Sequence, residues 1–162
     1  MRFSMTHHFK CAPDDLWDVF AEPEFDRRLR EETGVERELL EAKYEDGVQF
    51  ERIRSVSNRE LPAVMKTALG IERFEFEQQN RLDRSENILN WTVSTPFLSD
   101  RVDAGGTTRV EATDTGCTRI IDGQVDIRLP LVGRKMERKL LGNIRESYEK
   151  AARIAADLLQ KR

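Results

Sequence analysis

Histidine and cysteine are nearly missing from this chain. There are two of each, the histidines adjacent at His7 and His8 and the cysteines far apart at Cys11 and Cys117. Neither arrangement has the spacing of a metal-ligand cluster, so no metal and no cofactor are expected. No apolar run approaches the roughly 18 residues of a membrane-crossing helix. The opening MRFSMTHHFK also lacks an apolar stretch of signal-peptide length. The expectation is a cytoplasmic protein with no integral membrane segment and with reduced thiols. Gly105-Gly106 is followed by neither a helix nor a lysine, which excludes a phosphate-binding loop. Ser4, Ser94 and Ser99 have no histidine at a telling spacing, so no nucleophilic triad can be argued. The net charge of −3 argues against a nucleic-acid partner.

What is present is core-forming material and one dominant helix. The hydrophobic fraction is 38% against 35% charged, with eight Phe and two Trp, enough aromatic volume for one folded domain over residues 1–162. From Leu131 to Lys161, Val132, Met136, Leu140, Ile144, Tyr148, Ala151, Ala155 and Leu158 recur every three or four residues and so share a helix face. Lys135, Glu146, Lys150, Arg153 and Asp157 occupy the other side. Residues 134–162 hold nine Lys/Arg and four Asp/Glu, against a net −8 elsewhere. Arg145–Glu149, Glu149–Arg153 and Asp157–Lys161 alternate in sign four residues apart, which predicts a solvated ion-paired face. Transient contact with a membrane or an acidic partner is the alternative for such a basic helix.

Almost everything before that helix reads as strand. Phe3, Met5, His7 and Phe9 alternate with polar residues. Two short helices follow, one opening at Pro13 with Asp14 and Asp15 in its first turn, the next opening at Pro23 and closing at Gly34. Strands are expected over Val35–Tyr44, with imperfect alternation at Leu39-Leu40, and over Val48–Val56 after the turn Glu45-Asp46-Gly47. Leu61, Val64, Met65, Ala68 and Leu69 have helical spacing, so Leu61–Gly70 reads as a short helix or lid. Further strands are expected at Glu72–Gln78, Ile88–Thr95, about Gly106–Thr113 and Cys117–Arg128. Consecutive antiparallel strands covered on one side by a helix make an α+β domain.

That order resembles the START-like (SRPBCC) superfamily, whose helix-grip fold wraps a curved seven-stranded antiparallel sheet around a long C-terminal helix, with two short helices after the first strand. Ala12-Pro13 followed by Leu16-Trp17 looks like the opening of many members. Leu129-Pro130-Leu131-Val132-Gly133, followed by Lys135, Met136 and Glu137, is similar to the strand-to-helix junction of a bacterial START-like family of unknown function, with Arg134 where that family tends to have a second glycine. The Leu61-Pro62 segment, the Trp91 strand and Gly105-Gly106-Thr107-Thr108 fit it more loosely. The resemblance implies a cavity between sheet and helix for an apolar or amphipathic small molecule such as a lipid, isoprenoid or polyketide. It also implies that first and last strands pair, which would bring Cys11 near Cys117. A cyclase, dehydratase or hydrolase using the same cavity is the alternative function, and a protein-interaction module with a filled core is the third.

The candidate ligand-binding residues follow from strand parity. His7 is the ionisable group on the apolar side of the first strand, either an acid–base group or simply a hydrogen-bonded histidine. Phe50, Arg52 and Arg54 share parity with Val48 and Val56. If that side is concave, two guanidinium groups enter the cavity; otherwise they reach solvent or pair with acids on neighbouring strands. Arg119 carries the same ambiguity beside Ile121. Phe74, Phe76, Trp91 and Tyr148 are cavity or core aromatics, and Met65 is an adaptable apolar contact in the expected lid.

Overall fold

Seven strands pair antiparallel into one sheet in the order β1-β7-β6-β5-β4-β3-β2 among the residues described, 1–96, 98 and 100–162 of a computed structural model. The chain runs β1 (Arg2–Phe9), α1 (Pro13–Phe20), α2 (Pro23–Thr33), β2 (Val35–Glu45), β3 (Val48–Ser57), α3 (Ala63–Leu69), β4 (Glu75–Asp83), β5 (Ile88–Ser94), β6 (Val102–Thr113), β7 (Gly116–Ile127) and α4 (Gly133–Gln160). This is the expected helix-grip arrangement, a curved antiparallel sheet with a long C-terminal helix.

Local chemistry sets most of the boundaries. Pro13 and Pro23 occupy the first turns of α1 and α2, where a missing N–H costs nothing. Gly34 closes α2 at φ 70°, its N–H donating to the Arg30 carbonyl. Asp46 and Gly47 both have positive φ, 52° and 79°, as a two-residue β2–β3 hairpin with the right twist requires. The irregular Leu39-Leu40 pair marks a β-bulge, where the β2–β3 register shifts between Leu39 and Glu41.

Several boundaries differ from expectation. β4 begins at Glu75 and runs on to Asp83, because its pairing with β3 and β5 continues through polar residues. β6 begins at Val102, four residues ahead of the expected Gly106, since Val102 to Gly105 pair with β7. The last helix begins at Gly133 and not at Leu131, which is fully exposed with φ 69°. A Cβ on Gly133 would lie 2.4 Å from the Ile127 carbonyl oxygen, so glycine lets the helix start against the end of β7. The Glu137 carboxylate then accepts the Ile127 N–H at 2.9 Å, locking strand to helix.

α4 packs against β7, β1, α1 and α2. Its C-terminal half (Ala151, Ile154, Ala155, Leu158) closes a core with Phe9, Leu16, Trp17, Val19 and Phe25. Its N-terminal half (Met136, Leu140, Ile144) packs with Met65 of α3 and with Val102, Ala104, Val125 and Ile127. Each large side chain buried this way contributes about 1.5–3 kcal/mol before conformational entropy is subtracted. The charged side of α4 ties to neighbouring elements more than to itself: Arg28 pairs with Asp157 at 2.5 Å, Arg153 with Glu32, and Lys150 donates to the Glu32 carbonyl at 2.8 Å. The Cys11 and Cys117 sulfurs lie 3.9 Å apart as free thiols, both pushed up by burial, Cys117 to about 12.

Candidate functional site

Strand register decides which side chains face α4. One row crosses six strands as Glu51, Asn80, Trp91, Gly106, Gly123 and Phe3. The next runs Leu39, Ile53, Gln78, Val93, Ala104 and Val125. Phe3, Met5, Trp91 and Ile121 cluster with Leu141, Ile144 and Tyr148 of α4, so this is the inner face. Gly106 and Gly123 make room for aromatic rings. A Cβ on Gly123 would come within 2.7 Å of the Phe3 ring and 2.9 Å of Trp91, and one on Gly106 within 2.9 Å of Trp91.

The inner face has two unlike halves. Over β1, β7 and β6 it is mostly apolar, apart from His7, Thr108 and Arg119, and packs against α4, α1 and α3. Over β3 and β4 it carries Gln49, Glu51, Gln78 and Asn80, all half-buried, around Ile53. Leu39, on the inner row of β2, is 58% exposed. Gly142 lies exposed on the solvent side of α4, where a Cβ would meet nothing within 4 Å. Arg59, just after β3, spans from the sheet to α4, donating to Asn143 at 3.0 Å and Glu146 at 3.1 Å. Lys150 and Arg59 together hold the Glu146 carboxyl down to about 2.

The predicted residues divide accordingly. Trp91, Ile121 and Tyr148 come together on the inner face. Phe76 stands opposite the buried Ser55, with the Phe74 ring 5.8 Å away. Met65 is buried against Val93 and Met136, on the helix side of the sheet. Phe50, Arg52 and Arg54 do not join them. They pair across with Arg81, Gln79 and Glu77, and those with Asn90, Thr92 and Ser94, so all lie on the outer face. Arg52 meets Glu41 at 3.4 Å and Glu77 at 3.2 Å; Arg54 meets Glu75 at 2.6 Å; Phe50 lies under Arg81. The inward residues of β3 are the odd-numbered ones, and they are mostly polar because α4 does not cover them. Apolar parity therefore pointed to the wrong face. Ser99 lies outside the described residues.

His7 and Arg119 form a separate polar centre beneath α4. The Arg119 side chain is 3% exposed, with rings of Phe9, Phe20 and Tyr148 5.1–5.8 Å from its guanidinium carbon. It donates to His7 Nδ1 at 3.0 Å and to the Tyr148 carbonyl at 3.2 Å. His7 Nε2 in turn contacts the Glu149 carboxylate at 3.2 Å. Burial lowers Arg119 to about 10, and burial with the nearby guanidinium lowers His7. Burial raises the Tyr148 phenol against the opposing influence of Arg119. With both ring nitrogens engaged, His7 positions Arg119 between sheet and helix.

The polar strip at Gln49, Glu51, Gln78 and Asn80 escaped the sequence reading. One signal was available: Trp91 sits one hairpin away from the alternating Gln78 and Asn80, so its parity carries over to them.

A curved sheet gripping a C-terminal helix, with two short helices after the first strand, defines the START-like class. The same fold is found in the Zhui aromatase/cyclase of Streptomyces sp. R1128 (TM-score 0.68, 14% identity, 100% of this chain and 94% of that one). It is found also in TTHA0849 from Thermus thermophilus (TM-score 0.67, 12% identity, 97% and 95%) and in Ara h 8.0201 (TM-score 0.66, 8% identity, 100% and 99%). No curated protein matches the chain. Residues 4–159 match the family described as Protein of unknown function (DUF2505), and the chain belongs to that family.

Proposed function

We propose that this protein binds and carries a hydrophobic or amphipathic small molecule between the inner face of the sheet and α4, without covalent chemistry. One observation carries the reading: α4 packs on the β7 and β1 side of the sheet, and the inner-face Gln49, Glu51, Gln78 and Asn80 of β3 and β4 stay half-buried. A protein with a filled core would be expected to bring apolar side chains there and cover them. Trp91 forms the floor of the site at its border with the covered half, with Ile121 and Tyr148 packed behind it; Phe74 and Phe76 form one side, and Met65 of α3 the end nearest Val93. The segment from Leu61 to Gly70 serves as the movable wall, with Arg59 tying the chain before it to α4. Arg119 and His7 hold the sheet to the helix below the ligand.

Two fold neighbours are aromatase/cyclases, the Zhui protein and the di-domain StfQ of the steffimycin pathway. An enzyme of that kind would need an acid or base placed for proton transfer; His7 is occupied on both nitrogens, and the Glu51 carboxylate accepts from Gln49. Carriage is the better-supported reading. No helix among the described residues is long and apolar enough to cross a membrane, and the reading takes the carrier to be cytoplasmic. Native mass spectrometry of gently purified protein tests it. A small-molecule adduct on the 18.8 kDa chain, released by solvent extraction, is expected. A bare chain that also takes up no apolar probe would overturn the proposal.

A further inference from the structure

The half-buried strip on β3 and β4 carries polar groups that its own hydrogen bonds do not exhaust. Gln49 Nε2 donates to Glu51 at 3.1 Å, and Gln78 Nε2 donates to Asn80 Oδ1 at 2.8 Å. These contacts orient the strip and leave the Asn80 amide protons and the Gln78 carbonyl without a protein partner among the described residues. Next to Asn80 across the β4–β5 pair stands Trp91, 4% exposed, whose indole Nε1–H has no acceptor among the described residues. Just beyond β5, Thr95 is 1% exposed, and its hydroxyl likewise has no partner among the described residues. Buried donors are almost always satisfied, and leaving one unpaired costs more than a single hydrogen bond returns. A hydrocarbon laid on this strip would desolvate the amides and satisfy none of these groups. A carboxylate would meet the Glu51 carboxylate.

We infer that the ligand is a neutral, oxygen-bearing amphiphile, an alcohol, phenol or ketone, whose oxygen is received by Trp91 and Asn80 while its apolar body lies along Ile53 and Val93. This rests on the carriage reading and adds the ligand's polar chemistry to it. Selection works through the protein groups left unpaired: a site built to hydrogen-bond an oxygen rejects the analogue that lacks it.

Equilibrium dialysis with two matched sets tests the inference: naphthalene, 2-naphthol and 2-naphthoate, and dodecane, dodecanol and dodecanoate. In each set the neutral hydroxyl compound is expected to bind at least about tenfold tighter than the hydrocarbon, with the carboxylate weaker than the hydroxyl compound. Asn80→Leu, at a half-exposed position that spares the core, should erase the preference over the hydrocarbon. Glu51→Gln should raise carboxylate binding toward that of the hydroxyl compound. Equal binding of hydrocarbon and hydroxyl compound overturns this inference and leaves carriage standing, as does a preference that survives Asn80→Leu. Binding of none of the six overturns carriage, and the inference with it.

Discussion

The two halves of the inner face are built on the same pleat and do opposite things. On the β1–β7–β6 side, Ile121 and Val125 are fully buried and Gly123 is pressed against Phe3 and Trp91. Two strands further on, the same rows hold Glu51, Gln78 and Asn80, half-buried. A curved sheet wider than one helix cannot be covered by that helix alone. The covered half supplies stability and the uncovered half is left for something else. Trp91 stands on the boundary, packed on one side and with no acceptor for its indole N–H among the described residues.

Core truncation should separate the halves most strongly. Ile121→Ala, at a side chain with 0% exposure, is expected to cost about 2–5 kcal/mol. Leu39→Ala, at 58% exposure on the uncovered side, should change stability by no more than about 0.5 kcal/mol. Urea denaturation of both variants measures the contrast, and similar losses would erase it.

The glycines sharpen the comparison from the backbone side. Gly123→Ala drives a methyl into the Phe3 and Trp91 rings and should destabilise by about 1–3 kcal/mol. Gly142→Ala adds a methyl to open space in the middle of α4, where replacing glycine should stabilise by up to about 1 kcal/mol. Thermal melts of opposite sign are the expected outcome.

A smaller effect concerns acid. His7 is lowered from 6.5 by burial and by Arg119, with Glu149 opposing and His8 assisting. The unfolded chain therefore takes the proton more readily than the native one. The His7 contribution is complete above pH 6.5 and declines as pH falls through 6.5 toward the lowered native value. His7→Gln should flatten that part of the stability–pH curve, followed by denaturation midpoints between about pH 7.5 and 5. An unchanged slope would mean that His7 titrates freely.

The covered half was the legible one. The α4 stripe, the proline-opened α1 and α2, the Asp46-Gly47 hairpin and the bulge at Leu39-Leu40 each leave a local mark, because periodicity and turn chemistry are properties of neighbouring residues. The approach of Cys11 to Cys117 was legible only through the resemblance, which pairs the first and last strands. The uncovered half was misread at Phe50 and left open at Arg52 and Arg54, which pair with acids on neighbouring strands, for one physical reason. Parity was assigned by hydrophobicity, and on strands without a covering helix the inner side is the more polar one. Register carried from Trp91 back across the β4–β5 hairpin to Gln78 and Asn80 would have corrected it. Arg119 had no sequence signal to tell burial from exposure, since only the convergence of Phe9, Phe20, Tyr148 and His7 around it makes a buried guanidinium tolerable.

Two adjacent residues of β4 offer the most direct test of the site. Gln78 lies on the inner face opposite Ile53 and Val93, and Gln79 lies on the outer face opposite Arg52 and Thr92. Uptake of a fluorescent long-chain alcohol should be measured for Gln78→Trp and Gln79→Trp side by side. Filling the inner strip with an indole is expected to weaken uptake at least about tenfold, a loss of roughly 1.4 kcal/mol, while the outer-face indole leaves it unchanged. Equal uptake by the two variants, or a loss confined to Gln79→Trp, would contradict a ligand site on the uncovered half of the inner face.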